Sequence, residues 1–254
     1  HLSIRRQRQM CIRDRAYPIQ WSSSNTGFDN GNGINLFDGS SSIVMANASN
    51  INVNGKWVFK VDTGNNYPTS PISTFPTTVT TTSSVPINST VAIKNFLIFG
   101  PGVGDSILTK ADDSTFGPFS ISQTIPYLNS YYSNYYICIN GWIGSYSTRL
   151  IYPFNVDLDT RYSGNIFYRQ LNSTDLNNVK TDINKVNSTF IPSSGFVVTW
   201  YQVPRYGGLG SSINYTFQAI VISNGNQTYL VYNYDDQAYP CLLYTSPSPR
   251  DAHE

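Results

Sequence analysis

The sequence predicts a mainly β fold, an antiparallel β-sandwich-like domain carrying one amphipathic helix. Three observations predict it. Tyr and Phe are abundant at 19 and 13 residues, Ser, Thr and Asn dominate the polar positions, and charged residues make up only 12% of the chain. That balance suits strands more than helices. Several short runs also show strand patterning, and Ser223-Asn224-Gly225-Asn226 separates two of them as a hairpin turn. Helical spacing is found in one stretch, STDLNNVKTDINKVN.

The first strand lies in NVNGKWVFKVD, where the Asn54-Gly55 turn precedes Trp57, Phe59 and Val61 alternating with Lys56, Val58 and Lys60. Residues 64–89 are rich in Pro, Thr and Ser and read as a linker, either an O-glycosylated stalk or an ordinary loop. The main block follows over 90–240. Its strand candidates are Phe119–Gln123, Tyr135–Asn140, Gly164–Tyr168, Phe196–Val203, Thr216–Ser223 and Tyr229–Tyr234. The helix is expected over about 173–187, with Leu176, Val179, Ile183 and Val186 on one face and Ser173 or Thr174 as its cap. Strands with one interposed helix form a sandwich or a similar antiparallel architecture.

The two ends differ from this body. RRQRQMCIRDR (5–15) carries five arginines in eleven residues, which a basic arm for phosphates would also show. CLLYTSPSPRDAHE (241–254) is equally foreign in composition. Both stretches resemble translated transposase-type sequencing adapters, so residues 1–15 and 241–254 read as adapter artefact and not as part of the fold. The body, 16–240, then holds ten Lys+Arg and twelve Asp, with no Glu and no His, for a net charge of −2. No clustered basic patch remains for nucleic acid or an anionic membrane. No apolar run approaches the roughly 18 residues of a transmembrane helix.

The body excludes several chemistries. Without His or Glu it has no Ser-His-Asp triad, no Cys-His pair and no His-liganded zinc site. Paired aspartates can still run a hydrolase. The single body cysteine, Cys138, rules out an internal disulfide framework and reads as a buried strand residue, the nucleophile reading lacking a basic partner.

Asp157 and Asp159, two apart in VDLDTR, are expected to share a strand face. They either hold a hard cation such as calcium, with Asp112 or Asp113 as further oxygen ligands, or cap turns with Asp159 paired to Arg161. The glycines of FGPGVGDS lack phosphate-loop spacing and read as turn formers. The tyrosines of NSYYSNYY (129–136) either stack sugars or face core and surface alternately. Six N-glycosylation sequons occur, at Asn47, Asn88, Asn172, Asn187, Asn214 and Asn226. With 26 Asn and 49 Ser+Thr in the body, chance alone predicts about six, so position must decide between them.

The main block resembles the nidogen-type extracellular domain, NIDO. FGPGVGDSILTKADDS (99–114), YYICINGWIGS (135–145), PFNVDLDTRYSGNIFYRQ (153–170), FVVTWYQVPRYGG (196–208) and TFQAIVISNGNQTYLVYNY (216–234) follow the family pattern in order. Asn155 stands where the family has an aromatic residue, and the stretch from Ser145 to Pro153 is shorter than the family's. GFDNGNGINLFDG (27–39) and NINVNGKWVFKVD (50–62) are similar to the closing part of the same domain, so the tail precedes the body. Ala-Tyr-Pro recurs at 16–18 and 238–240, beside both adapters. The reading is a circularly permuted chain, cut from tandem domains or a circularised fragment. Residues 16–63 are then the C-terminal part of the domain and 90–240 its main body, with Trp57 and Phe59 packed on that body. The resemblance implies a non-enzymatic extracellular module of cell-matrix adhesion or matrix assembly, without a cofactor, partnered by matrix or cell-surface proteins. The alternative is a calcium- or glycan-binding recognition domain.

Overall fold

The computed structural model describes residues 34–37, 42–50, 56–61, 88–127, 130–145, 149–154, 156–207 and 214–235. The expected adapter stretches, the Asn54-Gly55 turn, Asn155 and all but the last two residues of the 64–89 segment lie outside them.

Two antiparallel sheets and one helix make up the described fold. The larger sheet has the order β1-β2-β3-β12-β11-β10-β9-β4. Its strands are β1 (Ile34–Phe37), β2 (Ser42–Asn50), β3 (Lys56–Val61), β4 (Ser106–Ile107), β9 (Asn165–Gln170), β10 (Ser194–Pro204), β11 (Asn214–Ser223) and β12 (Thr228–Tyr234). The smaller sheet has the order β5-β6-β7-β8, formed by β5 (Thr115–Tyr127), β6 (Ser130–Cys138), β7 (Trp142–Gly144) and β8 (Arg149–Ile151).

The middle of the large sheet is covered on both faces. One face packs on the small sheet through Phe196, Val198, Trp200, Phe217 and Leu230 against Phe119, Tyr135, Ile137 and Ile143. Tyr135 stacks on Phe196 with ring centroids 3.8 Å apart. Trp200 Nε1 donates across the interface to the carbonyls of Ile139 and Cys138, at 3.1 and 3.3 Å. The opposite face, with Val58, Val197, Ile220 and Val231, packs beneath the helix through Val179 and Ile183. Burial on both sides explains why β11 and β12 are apolar runs and do not alternate with polar residues.

The helix α1 spans Ser173–Ile183 and is closed by a capping box. Asn172 Oδ1 accepts from the Asp175 backbone N–H at 2.9 Å, and Asp175 answers the Asn172 N–H at 3.4 Å. The cap is therefore Asn172, one residue before the expected Ser173 or Thr174. The helix ends four residues before the expected 187. Backbone bonds from Val186 and Asn187 to Ile183 close a turn after it, and Val186 is exposed.

The β3 segment lies inside the large sheet. It pairs antiparallel with β12, in the register Leu230↔Phe59 and Tyr232↔Trp57, and with β2 on its other side. Phe59 is fully buried 4.9 Å from the Tyr232 ring, and Lys56 Nζ reaches Asp182 Oδ2 of α1 at 2.6 Å. The Trp57 side chain is outside the described residues. Between Ser145 and Pro153 the chain holds β8, paired with β7 through Ile143↔Ile151.

Candidate functional site

The expected carboxylates meet at one end of the large sheet, where the chain leaves regular strands. Asp112 bridges Asp159, and Leu158 bridges Arg205, as isolated backbone pairs. Thr160 Oγ1 locks the crossing, accepting from the Ala111 N–H and donating to its carbonyl, both at 2.9 Å. Asn140 joins the β6–β7 turn to it, donating to Asp113 Oδ1 at 2.7 Å and accepting from the Leu158 N–H at 2.8 Å. Gly141 in that turn has φ +79°, and a Cβ there would lie 1.8 Å from the Phe154 carbonyl oxygen. A side chain in this turn would collide with the Phe154 backbone, so the close approach of the two segments requires glycine.

Asp112, Asp113 and Asp157 bring carboxylate oxygens within 4.8 Å of one another. Asp159 is not in this group. It is buried and bound by Arg161, which donates from Nε and its backbone N–H to Oδ1 and from Nη2 to Oδ2, at 3.0, 2.9 and 2.8 Å. Arg161 Nη2 also reaches Asp112 Oδ2 at 2.8 Å, while Asp112 Oδ1 is buried without a protein partner. Asp157 and Asp159 thus part company: the backbone here forms single bridges, so the strand alternation that would give them one face does not hold.

The charges respond accordingly. Hydrogen bonds from Arg161 hold the Asp159 carboxyl below its usual range. Desolvation, which the Arg161 charge opposes and the neighbouring Asp159, Asp113 and Asp157 reinforce, pushes Asp112 above it. The Arg161 guanidinium also lies 5.6 and 5.8 Å from the exposed rings of Tyr162 and Tyr206, within cation–π range. The three-oxygen group could receive a hard cation.

A second charge cluster escaped sequence reasoning. Arg169 is buried, donating to Asp105 Oδ1 at 2.7 Å, to both Asp175 oxygens at 3.1 Å and to the Ile98 carbonyl at 3.0 Å. Asp105 Oδ2 accepts from the Gly100 N–H at 2.6 Å. One guanidinium therefore ties β9 to the helix cap and to the Pro101–Val103 turn. Desolvation pushes Asp105 upward despite this pairing. Its one sequence signal was Gly104-Asp105 in the family pattern, which carried no hint of a distant partner.

The other expected residues fall in place as follows. Tyr135 belongs to the core, Tyr132 packs against it and Tyr131 is exposed, so the run serves the sandwich. Cys138 is buried at the end of β6. Asn88, Asn172, Asn214 and Asn226 are exposed, Asn187 is half-buried, and the Asn47 side chain is outside the described residues.

Residues 114–239 match the family model described as the nidogen-like domain, NIDO. Alpha-tectorin of Gallus gallus is 27% identical over 151 residues, 52% of this chain and 7% of that protein. Alpha-tectorin of Mus musculus is 35% identical over 88 residues, 33% of this chain and 4% of that protein. Nidogen-1 of Mus musculus is 29% identical over 177 residues, 60% of this chain and 14% of that protein. The chain thus spans a small fraction of these relatives. No solved structure matches it. Residues 114–239, which hold the helix and the 153–170 and 216–234 motifs, are a nidogen-like (NIDO) domain.

Proposed function

We propose that this is a non-enzymatic extracellular module of cell-matrix adhesion or extracellular-matrix assembly, one unit of a larger protein. The nidogen-like match over 114–239 carries the reading, because relatives named nidogen-1 and alpha-tectorin share the domain. Among the described residues, one small cavity between the sheets, about 30 Å³, is lined by Ile125, Tyr127, Tyr132, Ile143 and Phe196. Its partners are matrix or cell-surface proteins. The test is saturable binding of the purified chain to an immobilised matrix extract. Binding no greater than that of the chain unfolded by heat would overturn the proposal.

A calcium-binding recognition domain is the second reading, favoured by the Asp112–Asp113–Asp157 group with its partnerless Asp112 Oδ1. A specific ion stabilises the folded state by about 2.7 kcal/mol at a hundred times its dissociation constant. Calcium should therefore raise the unfolding temperature of the chain and leave that of Asp157→Asn unchanged. Equal shifts in both would dismiss this reading.

The domain boundaries follow the same proposal. Residues 16–63 supply the closing strands of the unit whose body is 90–240, with 64–89 as the connection. The pairing of β3 with β12 supports this.

A further inference from the structure

We infer that the exposed sequons Asn88, Asn172, Asn214 and Asn226 accept N-linked glycans, and that the fold keeps Asn187 bare. The inference rests on the extracellular reading, since N-glycans are added in the secretory pathway. Six sequons by number mean nothing, so the distinction comes from what each amide group does in the folded chain.

An N-glycan replaces one hydrogen of the asparagine Nδ2 and leaves Oδ1 able to accept. Asn172 fits this chemistry. Its Oδ1 caps α1 by accepting from the Asp175 N–H, and the residue is exposed, so a sugar on Nδ2 leaves the cap intact. Asn226 is exposed in the turn between β11 and β12, where Asn224 Oδ1 accepts from the backbone N–H groups of Asn226 and Gln227 at 3.0 and 2.8 Å. Asn224 supplies the side-chain acceptor for these two backbone donors, and Asn226 stands exposed at the tip of the turn.

Asn187 differs at both ends of its amide. Its Nδ2 donates to the Tyr229 hydroxyl at 2.9 Å and lies 3.5 Å from Gln227 Oε1. Each amide hydrogen therefore points at protein, and a sugar in either position meets Tyr229 or Gln227. Tyr229 cannot move aside, because it is buried with its ring 4.7 Å from that of Phe190. Asn187 Oδ1 is also used, accepting from the Thr189 N–H at 3.2 Å and its hydroxyl at 2.9 Å. The amide works as an internal clamp between the end of α1 and β12, and its sequon is incidental.

The test is secretion of the full chain from a glycosylating host behind a heterologous signal peptide, with a control sequon in an appended tag. Glycan removal by peptide N-glycosidase in heavy-oxygen water marks each occupied asparagine for peptide mass spectrometry. The expected result is label at Asn172 and Asn226, and at Asn88 and Asn214, with Asn187 unlabelled. A labelled tag with bare Asn172 and Asn226 overturns the inference, as does a labelled Asn187 in folded, secreted protein. The tag control separates this from failure of the extracellular reading, because it reports entry into the pathway whatever the native location. As a second measurement, Asn187→Gln should lower the unfolding temperature of unglycosylated protein, whereas replacing the exposed Asn88 by Gln should not. Equal effects would deny Asn187 its clamp.

Discussion

Replacing Phe59 by alanine asks whether β3 is part of the cooperative domain or merely laid against it. The ring is fully buried, in contact with Tyr232 and facing the sandwich core. Truncating such a ring costs about 3–5 kcal/mol, including about 0.5–1.5 kcal/mol from the aromatic pair. That is a large part of the 5–15 kcal/mol, roughly, by which a domain is stable. Trp200, stacked on Phe217 at 4.7 Å inside the 88–235 block, contributes a reporter for urea unfolding distant from β3 in sequence. With a urea slope of about 1–3 kcal/mol/M, the midpoint should fall by at least about 1 M. The neighbouring exposed residue Lys60 supplies the control, since Lys60→Ala should stay within about 0.5 kcal/mol. If Phe59→Ala and Lys60→Ala unfold alike, β3 is not part of the unit and the reasoning from its register fails.

Two further perturbations probe the charge clusters. Arg169→Met leaves Asp105 and Asp175 facing each other without their cation, and removing one partner of such a buried pair costs about 3–5 kcal/mol. A melting temperature within a degree or two of the parent's would show that the triad contributes nothing. Asp159 has a folded pKa below its unfolded value of 3.8, so its contribution is present above pH 3.8 and lost as pH falls through the lower folded value. Asp105 has the opposite sign: its raised folded pKa favours the native state below pH 3.8 and loses that advantage as pH rises through the folded value. Asp159→Asn should therefore flatten the acid limb of the stability curve and Asp105→Asn should steepen it, measured by urea midpoints across the acid range.

Strand identity was legible where burial and turn chemistry coincide. The β11–β12 hairpin announced itself through Ser223-Asn224-Gly225-Asn226 between two apolar runs, and the structure pairs it in the register Ser223↔Thr228. Short strands were not legible. Ser106–Ile107, Trp142–Gly144 and Arg149–Ile151 owe their conformation to a neighbour in the sheet, which no local pattern announces. The helix stops short of its apolar spacing: Val186 keeps that spacing, yet the helix ends at Ile183 with Asn184 as its C-cap. At the acidic end the sequence supplied the residue types but not the partition. Which aspartate Arg161 takes depends on the crossing of 111–112 with 159–160, a contact between residues 49 apart held by Thr160. Arg169 was hidden for the same reason, its partner Asp105 lying 64 residues away.

The proposed order of segments can be tested by changing that order. In the described sheet, β3 lies against β12 although residues 62–227 separate them in sequence. If β1–β3 close the domain, a chain running 88–240 and then 19–61 has every described strand pairing available and needs no 62–87 segment. About 26 residues between β3 and the body are then exchanged for about 21 between β12 and β1. Doubling a loop changes closure by only about 0.6 kcal/mol, so the exchange alters stability by less than that. The reordered chain should match the parent's urea midpoint and show the same loss on Phe59→Ala. Failure to fold would make the present order obligatory. Folding without a Phe59→Ala effect would mean that β3 no longer reaches its place beside β12. Either result removes the permuted domain, whereas a matched midpoint with a matched loss makes chain order incidental to the fold.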